Sequence, residues 1–251
     1  MPVLGAVNRM RSVRLRLLTL ALLPLVVLLP VLLGVTMWRW IDKFDDLLIS
    51  KVASDLRIAE QYFNTLEITQ ATEVRALAQS VEFARASAES PRAVSALLSQ
   101  ESVRRDLDFL FVQRKSEPEA PPAFQEIAER ATPEQPSAGV AVLDSDVLAA
   151  LDAELAERAT LPLVATEAAR TINSELETRG MVILVASHIP NSDSVLIGGR
   201  LLNRDLSIID TMNALVYRER SDIDARTGTT TLFLDDVRIS TNVRLFEGER
   251  A

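Results

Sequence analysis

Leu17 to Trp38 runs for 22 residues without a charged side chain, and no other feature limits the possible folds of this chain as strongly. As a helix the run rises roughly 33 Å at about 1.5 Å per residue, enough to cross a hydrocarbon core about 30 Å thick. Arg9, Arg11, Arg14 and Arg16 precede it, and Trp38 and Trp40 close it. Basic residues on one flank and indole rings on the other follow the positive-inside rule and the interfacial preference of tryptophan. The expectation is a basic cytoplasmic N-terminus at 1–16 and a transmembrane helix at 17–38. Residues 39–251 then lie outside a bacterial inner (plasma) membrane that the chain crosses once. A cleaved signal peptide is the alternative. It has an apolar run of about 7–15 residues and a small-x-small cleavage site, and Met37-Trp38-Arg39-Trp40 offers no such site.

Charge follows the same division. Five of the 27 bases fall in residues 1–41 with no acid, which leaves 22 bases against 35 acids in the rest. An acidic body does not suit nucleic-acid binding, which needs a basic face on the folded domain. The absence of cysteine excludes a disulfide framework, a thiol nucleophile and a cysteine metal site.

Beyond Arg39 the apolar spacing is helical. Ile41, Phe44, Leu48, Val52, Leu56, Ala59, Phe63, Leu66, Val74, Leu77, Val81 and Ala84 recur at threes and fours, and no proline or glycine occurs from Arg39 to Ser90. The pattern predicts a long amphipathic helix over 39–90, with two shorter core helices as the alternative. Such length points to a dimer seam or a helix spanning a whole module. Ser90-Pro91 starts a second helix, read at Ala93–Arg105.

The period then becomes strand-like. Strands are expected at Leu107–Val112, Gly139–Leu143, Met181–Ser187 and Ser194–Leu202, with a brief extended piece at Leu163-Val164-Ala165. A further pair, Gly228–Leu234 and Val237–Val243, flanks a tight turn at Asp235-Asp236. Lys115 to Pro136 reads as a surface excursion with a helical turn at Phe124–Ala131. Asp144-Ser145-Asp146 is expected to cap a helix from Val147 to Ala159, and Asn203 to cap one reaching Arg220. Helices on one face of a mainly antiparallel sheet give an α+β fold of PAS-like type over 91–251.

Three segments carry a family resemblance. They are Glu177-Thr178-Arg179-Gly180-Met181-Val182, Gly198-Gly199-Arg200-Leu201-Leu202-Asn203-Arg204, and Thr231 to Val243 with Gly248-Glu249-Arg250-Ala251 after it. In these the chain, from about Asp42 onward, resembles the fused Cache sensor domains of bacterial sensor histidine kinases and methyl-accepting chemotaxis receptors. The resemblance implies an extracytoplasmic small-molecule sensing input domain of a transmembrane receptor, with the sensor histidine kinase as the first choice of parent. It also implies that further strands, a second membrane helix and the output module lie beyond Ala251, so that this chain is a fragment or a truncated gene product. The expected partners are the membrane, a second copy in a homodimer, and a small ligand of the organic-acid or amino-acid class.

The residues themselves offer little enzyme chemistry. His188 is the single histidine and reads as a strand-end residue. Gly198-Gly199 lacks the spacing of a phosphate loop and reads instead as a place where the strand approaches a neighbour closely. No catalytic residue, metal site or cofactor is expected; a membrane-tethered periplasmic enzyme is the weaker alternative. Arg179, Arg200 and Arg238, at or near strands, could each hold a carboxylate through paired charge-assisted hydrogen bonds. Asp210, on the helix after Asn203, could face the same pocket. These four are the candidate ligand-binding residues.

Overall fold

A computed structural model describes residues 5–163, 175–217 and 228–243. The expected end of the last helix at Arg220, the piece at Val164-Ala165 and the motif Gly248-Glu249-Arg250-Ala251 lie outside the described residues. The elements follow in the order α1 Gly5–Ala78, α2 Val81–Glu89, α3 Pro91–Arg104, β1 Phe109–Arg114, α4 Pro122–Arg130, β2 Ser137–Leu143, α5 Ser145–Leu151 and α6 Ala153–Ala159. Then come β3 Leu161–Pro162, β4 Leu176–Glu177, β5 Gly180–His188, β6 Ser194–Leu201, α7 Leu206–Val216, β7 Thr231–Leu234 and β8 Val237–Thr241. The chain divides into two units, Met1–Arg57 and Ile58–Ala251.

The N-terminal unit requires the main correction. Among the described residues no helix is long and apolar enough to cross a membrane. The transmembrane helix at 17–38 and the single-pass inner-membrane placement built on it are therefore withdrawn. The apolar run does not form a helix of its own. It is one section of α1, whose 74 residues continue through Pro24 and Pro30.

The second unit is α+β. Its main sheet has the order β1-β6-β5-β2, antiparallel throughout. Consecutive side chains of β5 and β6 point to opposite faces, and both faces are buried. Val182, Leu184, Ala186, Val195 and Ile197 pack with Phe124 and Ile127 of α4, Leu148 of α5 and Leu155 of α6. On the other face Ile183, Val185 and Leu196 pack with Val74 and Leu77 of α1, Phe83 of α2, Leu98 of α3, and Ile208 and Met212 of α7. Helices thus cover two faces, not the one expected. The unbroken apolar run from Met181 to Ala186 is the sign of a strand buried on both sides.

Local chemistry sets several boundaries that periodicity missed. The long helix ends at Ala78 without proline or glycine, because Ser80 takes an extended conformation and its hydroxyl accepts the Phe83 N–H at 3.0 Å. Ser90 caps α3 in the same way, with Pro91 in the first turn as predicted. The helix expected over Val147–Ala159 is two, α5 and α6. Asp152 separates them and caps the second by accepting the Glu154 N–H at 2.9 Å. The hairpin β7–β8 turns at Asp235 and Asp236 as expected, with Asp235 at φ 53. Its residues Leu234, Val237 and Ile239 form a small core with Leu161 and Met181.

Gly199 fulfils the close-approach reading. A Cβ there would lie 2.2 Å from the ring of Phe109, the residue paired with it across β1. His188 ends β5, half-buried.

Candidate functional site

The end of β6 is where the polar residues gather. Leu196, Gly198 and Arg200 alternate onto one face of the strand. Arg200, last on that face, keeps only 11% of its side chain exposed. Its Nε donates to Asp205 Oδ2 at 2.7 Å and its Nη2 to Ser207 Oγ at 2.8 Å, while Nη1 pairs with Asp106. Asp205 is the N-cap of α7 and accepts the N–H groups of Ser207 and Ile208 at 3.1 and 3.2 Å. Arg200 therefore braces the cap that starts the helix.

Two further contacts bring in distant segments. Asp108 accepts the Leu201 N–H at 2.6 Å through one carboxylate oxygen and the Arg158 guanidinium at 2.6 Å through the other. Asp106 follows the end of α3 in the left-handed conformation, φ 57. Arg204 adopts the same conformation, φ 59, in the turn before α7. Left-handed backbone is uncommon for residues other than glycine, and such positions concentrate at ligand sites. Together Asp106, Asp108, Arg158, Arg200, Arg204 and Asp205 line an open polar cleft of about 360 Å³.

The electrostatics follow from this packing. Burial pushes the Asp205 carboxyl upward, but hydrogen bonds from Arg200 and Ser207 outweigh it and hold the group below its ordinary value. Burial likewise opposes the Arg200 charge, and Asp205 more than restores it, so Arg200 stays firmly protonated. Arg204 is exposed and has no carboxylate partner among the described residues.

The four candidates from the sequence separate. Only Arg200 reaches the cleft. Arg179 lies between β4 and β5, where Nε and Nη2 donate to the two oxygens of Glu177 at 3.0 and 2.9 Å and Nη2 also reaches Asp235 at 3.0 Å. Asp210 is exposed on α7, and Arg238 is exposed on β8. Neither lines the cleft. Asn203 does not cap α7, since the cap is two residues later. It is buried instead. Its Oδ1 accepts the Met181 N–H at 2.9 Å, and its Nδ2 donates to the carbonyls of Ala159 and Arg179 at 2.9 and 3.0 Å. No family model, curated protein or solved structure matches the chain.

Sequence reasoning missed Asp106, Asp108, Arg158, Arg204 and Asp205. Asp205-x-Ser207 was legible as a helix start. The pairing of Asp108 with Arg158, fifty residues apart, carries no local signal.

Proposed function

We propose that this chain is a small-molecule sensing input domain of a signal-transduction receptor, with the cleft beside Arg200 as its ligand site. By resemblance the output belongs to a sensor histidine kinase, with a methyl-accepting chemotaxis receptor as the alternative. The observation that carries the reading is the coupling of the cleft to structure around it. The Arg204 N–H donates to the Ile239 carbonyl at 2.8 Å, and the Ser240 hydroxyl to the Asp205 carbonyl at 3.2 Å, so the β7–β8 hairpin hangs on the cleft rim. From the rim α7 runs into the core that it shares with Val74 and Leu77 of α1. A ligand that rearranges the Arg200 pairs therefore bears on both the hairpin and the helix layer. It can shift a conformational balance only through unequal affinity for the two states.

The test is a thermal-unfolding screen of the full chain against organic acids, amino acids and amines, with hydrogen exchange to locate the response. A ligand at a hundred times its Kd stabilises the fold by about 2.7 kcal/mol. Protection is expected at residues 200–212 and in α1 from 59 to 78. Binding that protects neither segment would sink the reading.

A further inference from the structure

We infer that the cleft takes its ligand by a carboxylate, and that this carboxylate displaces Asp106 from the Arg200 guanidinium. The inference rests on the sensing reading above and names the ligand chemistry of the same site. Three arginines meet three aspartates in the cleft, and the aspartates are not equivalent. Asp106 keeps 77% of its side chain exposed, against 15% for Asp108 and 12% for Asp205.

Asp205 cannot leave without uncapping α7, and Asp108 cannot leave without stranding the Leu201 N–H. The Asp106 side chain has only Arg200 as a partner among the described residues. Its backbone is fixed independently, by its own N–H to the Val103 carbonyl at 3.3 Å and the Leu107 N–H to the Ser102 carbonyl at 2.9 Å. The carboxylate can therefore swing away while the turn stays intact. An ion pair with one partner largely in water is weak, so the exchange costs little.

With Asp106 gone, three arginines face two aspartates, and one negative charge restores the balance. Arg200 then presents the donors that Asp106 occupied, and Arg204 adds an exposed cation at the rim. Guanidinium donors match a carboxylate in shape as well as charge. Asp106 is thus a built-in competitor that sets the ligand threshold.

The experiment titrates acetate into the full chain at constant ionic strength and follows backbone amide shifts from 200 to 208, with acetamide as the neutral control. Saturable shifts are expected with acetate and none with acetamide. Asp106→Asn removes the competing charge and tightens the apparent Kd for acetate about tenfold, as expected when the competent state rises from about a tenth to nearly all of the population. Asp106→Gly, which suits the left-handed backbone, tightens it similarly. Arg200→Lys keeps the charge, loses the planar fork and weakens binding about tenfold. An unchanged Kd in both Asp106 variants, or equal shifts with acetamide, overturns the proposal. If methylammonium or a neutral ligand saturates the cleft and acetate does not, the carboxylate proposal falls and the sensing reading survives. If no probe class moves these amides, both fall.

Discussion

Arg179 gives its guanidinium to both oxygens of Glu177 and to Asp235 at the β7–β8 turn, whereas Arg200 divides its own between a buried cap, Asp205, and an exposed carboxylate, Asp106. The two residues look alike in sequence, an arginine beside a glycine near an end of a core strand. Their surroundings give them opposite uses. At Arg179 the main partner is fixed: Glu177 is buried, its carboxyl is held below its ordinary value chiefly by the Arg179 hydrogen bonds, and the same loop is pinned by Asn203, while Asp235 is an exposed second partner. At Arg200 one partner is fixed and one is replaceable. Arg179 lies outside the cleft and works as a clamp between Glu177 and Asp235; Arg200 lines the cleft, where a ligand can take the place of its exposed partner.

The largest effect is expected at the clamp. Asn203→Ala leaves the Met181 N–H and two carbonyls unpaired in a buried corner and costs about 3 kcal/mol, read from urea unfolding. A loss under about 1 kcal/mol would mean that water replaces the amide and that the corner is not a clamp.

Next comes the fixed partner in the cleft. Asp205→Ala removes the cap of α7 and leaves Arg200 buried without its main partner, at a cost of about 2 kcal/mol. Hydrogen exchange should localise the opening to 206–212. If the whole sheet opens instead, the cleft and the core are one cooperative unit, and a local switch is untenable.

Arg179→Ala should cost less, about 1 kcal/mol, because with 38% of its side chain exposed solvent already screens the pairs. The smallest effect is on acid sensitivity. Glu177 and Asp205 both have lowered pKa values in the fold, so their contribution is complete above the ordinary carboxylate range of about 4 and is lost as pH falls through the lowered values. Glu67, raised by burial with partial relief from Arg130, acts in the opposite sense and loses stability as pH rises through its raised value. Arg179→Ala frees Glu177, so its stability should fall less steeply than that of the parent below pH 4, measured by thermal unfolding across that range. An equally steep acid limb would show that Arg179 does not depress Glu177.

What the sequence determined by itself was local. Ser90-Pro91 fixed a helix start, Asp235-Asp236 a turn, and Gly199 a place without room for a side chain, because capping, turn formation and close approach depend on a few neighbouring atoms. The apolar run from Met181 to Ala186 could have told of a sheet covered on both faces, since a strand with one solvated face alternates. The tertiary structure alone decided the rest. It buried Asn203 among the Met181 N–H and the Ala159 and Arg179 carbonyls, and separated Arg200 from Arg179, Arg238 and Asp210. It also brought Asp106, Asp108 and Arg158 to the end of β6. The physical reason is one of range. Backbone propensity acts over a few residues, while a charge placed in a cleft takes its meaning from partners that the chain brings back from fifty or a hundred residues away.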